Sequence, residues 1–129
     1  MLEIRAMQAE DLEAVVRTES QIFSRPWSRK GFEDALRQKE TIYLVAYEKD
    51  ILAGYCGLLQ SFDEADITNV AVVEKFRKKG VATELLEQLF LRGYERGSYF
   101  RHGPRAAGRR RRARGALGAG RSLPPPGRH

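Results

Sequence analysis

The sequence changes character abruptly near residue 97, and that break confines any packed core to the chain before it. Of the 26 residues from Gly103 to Arg128, 23 are Gly, Ala, Arg or Pro; only Leu117, Ser122 and Leu123 interrupt. A stretch with so few large apolar side chains cannot bury enough surface to offset the entropy of ordering it. Residues 98–129 therefore read as a disordered basic tail. Charge divides at the same place. Residues 1–97 hold all 17 acidic residues and 14 of the 23 Lys and Arg, whereas residues 98–129 hold nine Arg and no acid. The overall net charge of +6 is an average over two unlike pieces.

The first 97 residues read as alternating strands and helices. Leu2, Ile4 and Ala6 alternate with Glu3 and Arg5, the period of a half-buried strand. From Glu10 to Phe23, apolar residues fall at Leu12, Val15, Val16, Ile22 and Phe23 with acids in the first turn, which predicts a helix. Ser28 is placed to cap a second helix carrying Phe32 and Leu36 one turn apart. Thr41 to Glu48 and Ile51 to Phe62 form a hairpin around a Glu48-Lys49-Asp50 turn, and Ala65 to Val73 is a further strand. Gly80 to about Arg96 is a helix with Leu85, Leu86, Leu89 and Phe90 on its apolar face. The order β-α-α-β-β-β-α predicts a mixed α/β fold.

The segment between the last strand and the last helix carries chemistry. It reads Glu74-Lys75-Phe76-Arg77-Lys78-Lys79-Gly80-Val81-Ala82-Thr83. Gly80 and the small Ala82 permit close approach of a ligand, and consecutive amides at a helix N-terminus favour an anion. Arg77, Lys78 and Lys79 add positive charge. By spacing alone, a pyrophosphate cradle and a basic turn ending in a capped helix are equally good readings.

Arg77-x-x-Gly80-x-Ala82, between a strand and a helix, resembles the Arg/Gln-x-x-Gly-x-Gly/Ala signature of the GNAT superfamily of acetyltransferases. Asp63-Glu64-Ala65 with Ile67-Thr68-Asn69-Val70-Ala71-Val72 resembles that family's fourth strand. Phe23-x-x-Pro26-Trp27-Ser28 is similar to an element of its ribosomal-protein-alanine N-acetyltransferases. The resemblance runs from residue 1 to about Gly97. It implies a mixed-sheet GNAT fold and transfer of acetyl from acetyl-CoA to the N-terminal alanine of a ribosomal protein. Transfer would be by direct attack in a ternary complex, with no metal. It also implies that the main chain of Val70, Ala71 and Val72 lines the acetyl and pantetheine arm. Arg77, Lys78, Lys79, Gly80, Val81, Ala82 and Thr83 would hold the pyrophosphate through backbone amides. Trp27 would shape the site for the peptide N-terminus, or else anchor the two helices on the core. Another peptide or a small amine is the alternative acceptor.

In the resembling family a glutamate on the fifth strand accepts the amine proton and a tyrosine on the following helix protonates the thiolate. This chain has Ser98-Tyr99-Phe100-Arg101 where that strand should begin, no acid after Glu95 and no tyrosine after Tyr99. No catalytic residue is therefore assigned, and the C-terminal strand-helix-strand part of the fold is missing. Without a fifth strand, one wall of the cofactor gap is expected to be gone and the inner face of the helix Gly80–Arg96 to be left partly uncovered. The Gly, Ala, Arg and Pro of the tail fit a GC-rich gene read out of frame from about codon 97. The rival is a genuine arginine-rich tail that holds nucleic acid nonspecifically, in which case the chain is a non-catalytic RNA-binding protein.

Cys56 is the one cysteine, which precludes an internal disulfide and fits a reducing compartment. A buried strand position is its expected place. No apolar run approaches the roughly 20 residues that span a bilayer, and residues 1–5 lack the features of a signal peptide. The expectation is a cytoplasmic protein without a membrane partner.

Overall fold

The structure, a computed structural model, describes residues 2–100, with the side chains described through Ser98. Of the expected tail, residues 101–129 lie outside the described residues, whereas Ser98 is buried and Tyr99–Phe100 pair as a strand, which corrects the disorder expected of 98–100 and gives the fifth strand a start. Strand β1 (Leu2–Ala6) leads through a short 3-10 turn into helix α1 (Leu12–Ile22), then α2 (Arg29–Arg37). Three strands follow, β2 (Thr41–Glu48), β3 (Ile51–Ser61) and β4 (Glu64–Val72), then α3 (Val81–Glu95) and the start of β5 (Tyr99–Phe100).

The local reasons are legible residue by residue. Gln8 N–H donates to the Asp11 carboxylate at 2.7 Å, which closes the turn before α1. Ser28 accepts from Gly31 N–H at 3.0 Å, the expected cap of α2. The strands form one sheet in sequence order, antiparallel from β1 to β4. The last pair is parallel, Glu64 opposite Tyr99 and Ala65 opposite Phe100. A parallel neighbour requires a crossover, and α3 supplies it.

Both faces of the sheet are covered. On one, α3 buries Leu85, Leu86, Leu89 and Phe90 against Ile42, Leu44, Ala53, Cys56, Leu58 and Val70. On the other, α1 and α2 bury Leu12, Val15 and Phe32 against Tyr43, Val45, Tyr55 and Ala71. The expectation that the inner face of α3 would be left partly uncovered is corrected here. That face lies mainly across the middle strands and its four apolar residues are buried, while Leu91 and Tyr94 of the same helix stay exposed. Each of the four buried residues contributes about 1.5–3 kcal/mol.

Two bulges shape the sheet. Between Gly57 and Leu58 the pairing with β4 passes from Asn69 to Ile67, leaving Thr68 as the extra residue. The consequence is a parity switch. Ala65 and Ile67 face α3 ahead of it, and Val70 and Val72 face α3 after it. A second irregularity beside Ala46 and Tyr47 similarly puts both Ala53 and Cys56 on the α3 side.

Candidate cofactor site

The turn after β4 pairs its first amides, Arg77 N–H among them, which corrects the expectation that the Arg77 amide is available to a phosphate. Val73 N–H donates to Ala53 O at 2.8 Å, which holds the strand end to β3. One 3-10 turn, Glu74–Phe76, then reverses the chain, closed by Phe76 N–H to Val73 O at 2.8 Å and Arg77 N–H to Glu74 O at 3.1 Å. Lys78 and Gly80 both adopt left-handed backbone, φ 66° and 82°. Two left-handed residues so close together curl the turn tightly ahead of the helix, and a concave run of N–H groups of that kind suits an anion. No side chain caps α3 at Gly80. The first amides of that helix have no intrahelical acceptor, and the helix dipole adds to their field.

Gly80 is needed for its conformation. A Cβ there would meet nothing within 4 Å, so the space in front of the turn is open, while φ 82° is strained for any L side chain. The same strain is accepted at Lys78, at a cost of about 1–3 kcal/mol. The Arg77 guanidinium turns back and donates from Nε to Val72 O at 3.1 Å, so this side chain clamps the strand end to the turn.

Val70, Ala71 and Val72 pair with Cys56, Tyr55 and Gly54 on one edge of β4. Val70 is buried toward α3 and Ala71 toward α1 and α2, so their side chains belong to the two cores. What remains is main chain. Among the described residues, β5 pairs only with Glu64 and Ala65, and the β5-side edge of β4 from Asp66 to Val72 is without a strand partner.

Behind that edge lies a group of polar contacts. The Tyr43 and Thr68 hydroxyls lie 3.0 Å apart at the bulge. Burial pushes the Tyr43 hydroxyl well above its ordinary pKa, so it is neutral there. The Tyr43 ring lies against Gly57, where a Cβ would collide with it. Trp27 stacks on Phe32 at 4.9 Å and meets Tyr43 edge-on at 6.0 Å. It is buried among these rings, the position of an anchor for α1 and α2. The Trp27 backbone N–H donates to Glu19 at 3.0 Å, and the other oxygen of that fully buried carboxylate accepts from Tyr55 at 2.6 Å. Burial, followed by the Glu19 charge, raises the Tyr55 pKa and keeps its proton in place. Cys56 is likewise inert, a thiol pushed up by burial with Sγ 3.7 Å from Leu85 O.

A cavity of about 570 Å³ separates Thr18, Gln21 and Ile22 of α1 from Val73, Glu74, Lys75 and Arg77 of the turn. The cavity touches this segment at Val73, Glu74, Lys75 and Arg77, while Val70, Ala71 and Val81 are buried and Trp27 lies in the packed interior. Tyr43, Thr68, Glu19 and the Lys75–Phe76 pair were missed by sequence reasoning. A bulge has no signature in a run of β-formers such as Ile67-Thr68-Asn69-Val70. Among the described residues no helix is long and apolar enough to cross a membrane.

Comparison with known proteins agrees with this geometry. Residues 9–101 match the Acetyltransferase (GNAT) family. A Bacillus subtilis protein named a putative ribosomal protein bS18-alanine N-acetyltransferase is 34% identical over 83 residues, 64% of this chain and 55% of that protein. The Escherichia coli ribosomal-protein-S18-alanine N-acetyltransferase structure superposes with a TM-score of 0.68 at 26% identity, covering 75% of this chain and 62% of that one. The structure of AAC(6')-Iy in complex with the bisubstrate analogue CoA-S-monomethyl-acetylneamine shares the fold at a TM-score of 0.70. It is 18% identical over 95% of this chain and 92% of that one. The chain spans about half the length of the curated relative it matches. With the strand, turn and helix in the family's order and the match covering most of its length, the chain belongs to the acetyltransferase (GNAT) family.

Proposed function

We propose that residues 1–97 are the cofactor-binding part of an acetyl-CoA-dependent N-acetyltransferase whose acceptor is the N-terminal alanine of a ribosomal protein. The observation that carries the cofactor half is the left-handed Lys78 and Gly80 turn at the start of α3, open in front of Gly80 and following the edge of β4 that has no strand partner among the described residues. The residues fit the cofactor. Amides of 79–83 would hold its pyrophosphate, Lys78 and Lys79 would offset its charge, and the main chain of Val70, Ala71 and Val72 would guide the arm. Acetyl-CoA supplies the activated acyl group as a thioester. The acceptor half rests on the relatives' names and on Pro26-Trp27-Ser28. In this reading Trp27 acts from the core, fixing the connection between α1 and α2 that borders the acceptor.

Amine attack also needs a base, because an α-amino group has a pKa of about 8, and an acid for the thiolate. Neither residue of the family's pair is matched in this sequence. Each such group typically contributes ~10²–10⁴-fold. The 129-residue chain is accordingly expected to bind CoA without appreciable acetyl transfer. Mass spectrometry of an alanine-starting peptide incubated with the chain and acetyl-CoA tests this, and turnover would overturn the assignment of the catalytic pair. Reading the gene beyond codon 97 in the other two frames tests the origin of the tail. The Leu-Glu-Val-Arg and Leu-Tyr patterns should appear in one of them, and their absence from both contradicts a shifted frame.

A further inference from the structure

We infer that the outer edge of β1 pairs antiparallel with the same edge of a second copy of this chain, the two strands meeting at Ile4, so that two chains share one continuous sheet. This edge lies on the opposite side of the sheet from β5, and the inference does not depend on the cofactor reading.

The observation is an edge strand with none of the usual safeguards. Among the described residues β1 has one neighbour, β2, in a regular register without a bulge. Met7 N–H donates to Tyr43 O, so by the alternation of an antiparallel ladder the backbone groups of Arg5 and Glu3 also turn toward β2. Those of Leu2, Ile4 and Ala6 turn outward. The Ala6 carbonyl fits that parity, since it accepts from Arg5 Nη1 at 3.2 Å and not from β2. A row of outward N–H and C=O groups is a template for another strand, which proteins commonly block with proline, lysine or a bulge. Leu2 to Ala6 carries none of these.

The strand's own residues select the partner. Leu2-Glu3-Ile4-Arg5-Ala6, laid antiparallel on a copy of itself about Ile4, sets Glu3 opposite the partner's Arg5 and Arg5 opposite the partner's Glu3. Arg5 holds Asp11 at 2.8 Å, which fixes its guanidinium on the α1 face while leaving it partly exposed. Leu2 and Ile4 lie on the other face, half-buried against the core under α3, and the two Ile4 side chains meet there. The outward backbone groups of Ile4 then face those of the partner's Ile4, as a two-fold axis requires. Other registers are disfavoured by the same residues. A shift of two sets Glu3 against Glu3 in one direction and Arg5 against Arg5 in the other. A shift of one sets the charged face of one strand beside the apolar face of the other.

The test is sedimentation velocity of the full chain with hydrogen exchange at both ends of the concentration range. A five-residue pairing is a small interface, so the dissociation constant should be on the order of 100 µM. The average mass should climb toward twice the monomer mass across that concentration. The Ile4 amide should exchange several-fold more slowly at the upper end, while the Arg5 amide, turned to β2, should not change. Ala6→Pro removes an outward N–H from an exposed residue and should weaken association about tenfold or more. Glu3→Arg, also at an exposed residue, sets like charges opposite each other and should weaken it several-fold. Circular dichroism should show both variants folded. A chain that stays monomeric throughout would overturn the inference, as would association that neither variant weakens. Protection of the Ile4 amide at every concentration would mean that another part of the same chain covers the edge, and would overturn it too.

Discussion

The Tyr43 hydroxyl and the Thr68 hydroxyl lie 3.0 Å apart in the core, and Thr68 is the residue that β4 carries as its bulge. The bulge ends one facing pattern and starts another, so this contact bears on how Val70 to Val72 are presented. Tyr43 thereby links the packed rings of Trp27 and Phe32 to the cofactor strand.

Tyr43→Phe should lower stability by about 1–2 kcal/mol, because it removes one partner of a buried hydroxyl pair. Urea unfolding measures this. Thr68→Ser keeps the hydroxyl and should be milder than Thr68→Val, which strands the Tyr43 hydroxyl. The reverse order would mean that the methyl, not the hydrogen bond, holds the bulge.

Gly57→Ala should cost about 1–3 kcal/mol, since its Cβ collides with the Tyr43 ring and the ring cannot move without breaking the Thr68 contact. A neutral substitution at Gly57 would contradict the packing described around Tyr43.

Glu19→Ala should destabilise by about 3 kcal/mol, leaving the Trp27 backbone N–H and the Tyr55 hydroxyl buried without their acceptor. Glu19→Gln retains an acceptor and should cost less. Trp27 is the only tryptophan, so its fluorescence reports directly on the connection between α1 and α2. The Ala variant should shift emission to the red, and an unshifted spectrum would separate Glu19 from that connection.

Most of the element order was readable because burial follows period. Leu12, Val15 and Phe32 mark helix faces, and Thr41 to Glu48 ends where the Lys49 turn begins. The bulge at Thr68 was not readable, since Thr and Asn fit a regular strand as well as an irregular one. The left-handed Lys78 was hidden for a related reason. Lysine does not advertise positive φ as glycine does, so the tight turn emerges only when Lys78 and Gly80 are seen together. The turn's basic residues were legible as charge but not as separate roles. Arg77 serves the strand end, and Lys79 turns to Phe76. Trp27 was read first as shaping the peptide site and alternatively as an anchor, and the structure buries it beside Phe32 and Tyr43.

Arg5 and Asp11 should give stability that disappears in acid. Burial alone would raise the Asp11 carboxyl, but hydrogen bonds from Arg5, the Gln8 N–H and Tyr47 outweigh it and hold the carboxyl below its ordinary value. A pKa lowered in the folded state adds stability above the unfolded value and loses it as pH falls through the folded one. The difference in unfolding free energy between the unaltered chain and Arg5→Gln should therefore be full at pH 7 and shrink below about pH 4. A difference that is independent of pH would remove the ion pair from the account.

The central claim is that the turn at 77–83 is a phosphate cradle whose shape depends on Gly80. Calorimetric titration of the full chain with CoA, beside the same titration of Gly80→Val, tests it most directly, because the arginines of residues 98–129 are common to both proteins and cancel. A valine at φ 82° carries strain of about 1–3 kcal/mol, and relieving it redirects the amides. The account predicts binding by the unaltered chain and at least tenfold weaker binding by the variant. Equal affinity in the two proteins would contradict it.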